Sequence, residues 1–145
     1  MSHTTKLEGI TITDIPALQD VIKELNRSGI KCELLENQKP IAFFQNQVGM
    51  DKVAPYVIRC AAARYDIALY PKAEGKGFDL STDLYANHVA TVFGAPDKLK
   101  EAPLGKLYQL YGVHAATRQA VRQGYTVSRR TKTDGTIQLL LGNIN

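Results

Sequence analysis

The stretch Lys6–Leu35, KLEGITITDIPALQDVIKELNRSGIKCELL, reads as strand, helix and strand, and this reading sets the fold class. Leu7, Ile10 and Ile12 are the apolar positions of a first strand over Lys6 to Thr13, weakened by Gly9. Asp14 offers an N-cap carboxylate, and Pro16 falls in the first helical turn, where a missing N–H does no harm. Ile15, Leu18, Ile22 and Leu25, with Val21 beside them, recur at helical spacing and form one apolar stripe. Gly29 supplies the left-handed residue that ends such a helix, and Ile30 to Leu35 returns as a strand.

Working outward, Glu36 to Pro55 reads as loop from its Asn, Gln, Pro and Gly content, including Gln45, Asn46, Gln47 and Gly49. Within it, Ile41 to Phe44 is expected as a short strand. Tyr56 to Tyr70 reads as one strand bent at Ala61–Ala63, with Tyr65, Ile67 and Leu69 alternating against Asp66, Ala68 and Tyr70. Pro71 to Gly77 is a loop, and Phe78 to Leu84 is expected to return antiparallel. A short helix follows Tyr85 before the Gly94-Ala95-Pro96 break.

Pro103 opens a second long helix to about Gln123, closed by Gly124. Its expected buried side is Leu104, Leu107, Tyr111, His114, Ala115 and Val121, with Arg118 and Arg122 on another face. Asp134-Gly135, between Tyr125–Thr131 and Thr136–Leu141, signals a hairpin. The expected whole is a single α+β domain over residues 1–145, an antiparallel or mixed sheet with two principal helices packed on one face.

A chain of 145 residues, 44% of them apolar, can fill a core without a disulfide or a structural metal. Cys32 and Cys60, distant in sequence, read as reduced core thiols of a cytoplasmic protein. Met1 is followed by Ser2, His3 and Thr4, a pattern unlike a signal peptide, and no apolar run is long enough for a spanning helix. The net charge of +4 is unevenly placed. Lys98 to Lys132 holds eight basic residues and one acid, Glu101, a local charge of +7 against −3 for the rest. Such polarity draws a polyanion to one side of a domain.

Catalytic patterns are missing from the sequence. His3, His88 and His114 stand in no metal-ligand spacing, and there is no nucleophile elbow or paired-histidine motif. An enzyme acting on a nucleotide-like substrate would need Asp79, Asp83 and His88 to converge. Glu74-Gly75-Lys76-Gly77 lacks the spacing and the Ser or Thr of a phosphate-binding loop. Lys76-Gly77-Phe78 begins like an RNA-recognition signature that Asp79 breaks. The chain is therefore read as a binding protein with no cofactor and no metal.

Single-stranded nucleic acid is held by cations along its phosphates and by aromatic faces against its bases. Arg59, Arg64, Lys72, Lys76, Arg129, Arg130 and Lys132 are the candidate phosphate contacts, and Tyr65, Tyr70 and Tyr125 the candidate stacking rings. Exchanging Arg129 and Arg130 for Ala is expected to weaken binding while leaving thermal stability nearly unchanged. The expected ligand is single-stranded DNA, bound with little regard to sequence. The alternative is a protein-interaction module, an inhibitor of a host factor or an assembly protein, whose basic face meets an acidic partner.

Met1-Ser2-His3, the Asp14 to Gly29 helix, Tyr65-Asp66-Ile67-Ala68-Leu69 and Phe78-Asp79-Leu80-Ser81-Thr82-Asp83 follow one another in a familiar order. With Leu107-Tyr108-Gln109-Leu110-Tyr111, Gln123-Gly124-Tyr125-Thr126-Val127 and Asp134-Gly135-Thr136-Ile137-Gln138-Leu139, they resemble a small uncharacterised family of algal plastids, cyanobacteria and phages. The Asn87 to Pro103 region departs from it. Size and basic character are also similar to those of the single-stranded-DNA-binding RNA polymerase cofactors (Drc) of podoviruses. That resemblance implies a bacteriophage transcription accessory factor that holds melted DNA for an RNA polymerase. A homo-oligomer is expected on multivalency grounds. The tail Leu141-Gly142-Asn143-Ile144-Asn145 lacks the acidic tip of replication-type binders, which favours direct contact with a polymerase.

Overall fold

The carboxylate of Asp14 accepts the Ala17 amide at 3.0 Å and starts helix α1 (Ile15–Arg27), with Pro16 in its first turn. The helix stops at Gly29, whose φ of +95° lets two backbone bonds close its end. Ile30 N–H reaches the Leu25 carbonyl at 2.9 Å, and Gly29 N–H reaches the Asn26 carbonyl at 3.1 Å. Leu18, Val21, Ile22 and Leu25 turn one stripe inward, each burial contributing about 1.5–3 kcal/mol. The computed structural model describes residues 4–43 and 50–143, with side chains from residue 11 onward.

The five strands β1 (Thr4–Ile12), β2 (Cys32–Gln38), β3 (Ala54–Cys60), β4 (Ile67–Pro71) and β5 (Phe78–Asp83) lie in the order β1-β5-β4-β3-β2. Every neighbouring pair is antiparallel. The opening strand, helix and strand therefore do not form a parallel neighbour pair: α1 links the two edges of the sheet. Helix α2 (His88–Phe93) and helix α3 (Gly105–Arg122) join α1 over one face. Their Val89, Phe93, Leu107, Leu110 and Tyr111, with Leu104 just before α3, share a core with Ile58, Ile67, Leu69 and Leu80 of the sheet. A separate antiparallel hairpin, β6 (Tyr125–Thr131) and β7 (Ile137–Asn143), packs on α3, with Ile137 touching that core.

Three expectations are corrected. Tyr56 to Tyr70 is a hairpin and not one bent strand. A tight turn over Ala61–Ala63 and a left-handed Arg64, φ +66°, reverse the chain so that Ile58 pairs with Ile67. The alternation survives, with Tyr65, Ile67 and Leu69 in the main core and Ala68 and Tyr70 on the opposite face. Residues 41–43 form no strand, because carboxylates take their backbone groups. Asp66 accepts Ile41 N–H and Asp83 accepts Phe43 N–H, each at 2.8 Å, and Asp66 N–H donates to the Ile41 carbonyl. Phe44 and the 45–49 loop lie outside the described residues. Finally, Val121 is 56% exposed, since Ala120 takes the inward position in the last turn of α3.

Candidate nucleic-acid interface

The ten residues expected to touch nucleic acid do not share one surface. Lys72 and Lys76 stand at the β4–β5 turn, and Arg64 stands at the other end of β4. Five strand residues at about 3.3 Å each separate these ends by roughly 16 Å. Tyr125, Arg129 and Arg130 lie on β6, and Lys132 follows it.

Several of the ten already have structural partners. The Arg59 guanidinium holds Asp66, itself almost fully buried, at 2.8 Å from Nη2 and 3.2 Å from Nε, which raises the Arg59 pKa further. Tyr65 is 6% exposed and meets His88 edge-on, so its ring offers no face to a base. The Tyr70 hydroxyl donates to the Lys52 carbonyl at 2.7 Å. Lys72 bonds Thr11 and pairs with Asp79 at 3.8 Å. Arg129 grips Glu24 with both terminal nitrogens, a partner that the sequence reading did not foresee and that weighs against a loss without effect on stability. Arg64, Lys76, Arg130 and Lys132 remain exposed, and Tyr125 is half-buried.

A different set of cations converges at the end of the domain where β2 begins and β3 ends. A cleft of about 420 Å³ lies among Lys31, Ala61, Ala62, Thr91 and Lys106. A second, of about 720 Å³, lies among Lys98, Lys106, Gln109, Thr133 and Thr136. Lys106, in the first turn of α3, walls both, so the two hollows adjoin. The hairpin tip is fixed there by Gln109, whose amide donates to the Gly135 carbonyl at 3.0 Å. Lys31, Lys98 and Lys106 form no ion pair among the described residues. Two acids, Asp97 and Asp134, stand on the rim of the larger hollow. No aromatic ring lines either hollow among the described residues.

This convergence is only partly readable from the sequence. Lys98 and Lys106 belong to the basic stretch, but nothing local to Lys31 places it opposite Lys106. That neighbourhood depends on α2 and α3 packing over the β2–β3 end.

The residues weighed for catalysis are occupied otherwise. Asp83 is fully buried and accepts Phe43 N–H at 2.8 Å and Tyr85 N–H at 3.0 Å. Asp79 faces Lys72, and the His88 ring packs against Tyr65 and Tyr85. His114 donates from Nε2 to Glu24 at 2.8 Å, and His3 lies outside the described residues. Among the described residues no three His, Cys, Asp or Glu side chains gather as a metal site, and no helix is long and apolar enough to cross a membrane. Comparison with family models, curated proteins and solved structures finds no match to this chain.

Proposed function

We propose that the protein binds single-stranded nucleic acid, DNA in the first place, along the basic groove that runs from Lys31 past Lys106 to Lys98 and the hairpin tip. The observation carrying this reading is the convergence of Lys31, Lys98 and Lys106 on two adjoining hollows with no ion pair among the described residues. A phosphate chain neutralises such cations and releases counterions, so affinity falls steeply with salt. Thr133 and Thr136, with the second amide N–H of Gln109, add neutral donors for phosphate or sugar oxygens. With no ring lining the groove among the described residues, the contact is mainly ionic and tolerant of sequence, and Tyr125 lies at the far end of β6 from the hairpin tip. An accessory role beside a phage RNA polymerase is the finer form of the proposal and rests on the resemblance to podoviral cofactors, while a homo-oligomer is proposed on multivalency grounds.

Charge reversal separates this groove from the opposite end of the sheet. Lys98→Glu with Lys106→Glu is expected to weaken binding of a single-stranded oligonucleotide by roughly tenfold or more at low salt. Lys76→Glu, at the β4–β5 turn, is expected to change it less than about twofold. Equal losses from both ends would remove the groove from the account.

A second reading has its own support. Phe43 and Tyr85 stack at 5.3 Å between ring centres while 55% and 38% exposed, and Ile41 beside them is 45% exposed. Exposed, mutually packed rings suit a protein partner. A pull-down that survives nuclease treatment and is lost in Phe43→Ser would favour this interaction-module reading.

A further inference from the structure

Cys32 and Cys60 stand directly opposite each other on β2 and β3. The backbone of Cys32 is turned away from β3: Asn26 Oδ1 accepts its amide at 3.0 Å, and Asn26 Nδ2 donates to its carbonyl at 3.0 Å. The two cysteines therefore exchange no ladder bond and form a non-hydrogen-bonded pair. At such sites antiparallel strands approach most closely, with Cα atoms about 4.5 Å apart, inside the ~4.4–6.8 Å range that a disulfide spans. Both residues belong to the helix-covered core and are 5% and 3% exposed. Lys31, Ala61 and Ala62, the residues flanking the pair, line the smaller hollow, so the dithiol lies just behind the groove wall.

We propose that Cys32 and Cys60 are an oxidative modification site at which a peroxide closes a cross-strand disulfide between β2 and β3. The first Sγ, as thiolate, attacks one peroxide oxygen; the O–O bond breaks, and the departing hydroxide takes the thiol's proton to leave as water. The sulfenic acid so formed is attacked by the second Sγ. The S–O bond breaks, a second water leaves with the remaining proton, and the S–S bond forms. Two thiols are oxidised, and one peroxide is reduced to two waters. Burial, with Cys60 adding to it, pushes the Cys32 thiol up to about 12, against which the Lys106 charge works. Closure is therefore slow, because the thiolate is scarce. The bond fixes the edge strand β2 next to Lys31 and is independent of the nucleic-acid proposal.

The test is to expose the folded, reduced protein to hydrogen peroxide, unfold it, alkylate it with N-ethylmaleimide and weigh it intact. The expected result is a fall from two alkylations to none, with a mass lower by two hydrogens before alkylation. The oxidised monomer should have a Tm higher by roughly 5 °C or more, reversed by dithiothreitol. Neither Cys32→Ser nor Cys60→Ser should show that Tm gain. The proposal is overturned if the wild-type protein keeps two alkylatable thiols, stops at sulfinic acid or cross-links between chains. It is equally overturned if oxidation lowers Tm, since the bond would then form only by prying the strands apart.

Discussion

The guanidinium of Arg129 on β6 grips the carboxylate of Glu24 on α1 at 2.7 and 2.9 Å, tying the C-terminal hairpin to the first helix. The same carboxylate accepts His114 Nε2–H from α3, so three elements meet at one acid. Arg129, followed by the Glu24–His114 contact, is the main reason the Glu24 pKa falls from 4.5 to about 2. Because the folded value is depressed, the stabilisation is complete above about 4.5 and is lost as pH falls from there through about 2. Arg129→Ala is expected to cost about 1–2 kcal/mol at neutral pH, the discount reflecting partial exposure of both partners. Urea unfolding of the variant and wild-type proteins at several pH values checks this, with the two midpoints converging as pH drops through that window.

The hydroxyl oxygen of Tyr111 on α3 accepts two backbone amides, Thr13 N–H and Asp14 N–H, both at 2.9 Å. It thereby holds the junction of β1 and α1 against α3. Tyr111→Phe keeps the buried ring but removes the acceptor, and is expected to cost about 1–3 kcal/mol. A lower denaturation midpoint with an unchanged m-value is the expected signature.

Asp66 joins Arg59 on β3 to the backbone of residue 41 and is itself 1% exposed. Asp66→Ala leaves the Ile41 amide and the Arg59 guanidinium without this acceptor, and a loss of about 2–3 kcal/mol is expected. Hydrogen exchange reads the local consequence: the Ile41 amide should lose its protection in Asp66→Ala, while the amides of α1 keep theirs. Unchanged exchange at Ile41 would show that the strap has another anchor.

The parts of the fold legible in the sequence are those specified by neighbours along the chain. Asp14, the Leu18–Leu25 stripe and Gly29 define α1 within one short segment, and Asp134-Gly135 marks the β6–β7 hairpin in the same way. Strand order was not legible, because it depends on which distant strands pair. The β3–β4 reversal was hidden because an arginine, Arg64, occupies the left-handed position where glycine is usual. The carboxylates of Asp66 and Asp83 strap residues 41–43 to the sheet across 25 and 40 positions, a relationship no local pattern encodes. Among the candidate site residues, local charge identified basic segments but could not separate Arg59 and Arg129, engaged in ion pairs, from cations left at the surface. Tyr65 shows the same limit for aromatics, since strand alternation places it in the core and not against a ligand.

The central claim is tested most directly by fluorescence anisotropy of a labelled single-stranded DNA of about 30 nucleotides, measured at two salt concentrations with unlabelled duplex as competitor. Several phosphate contacts predict tight binding at low salt, a loss of tenfold or more on raising salt from about 50 to 200 mM, and weak competition by the duplex. Absence of binding at low salt would contradict the nucleic-acid reading and leave the exposed Phe43–Tyr85 surface as the place to look for a partner.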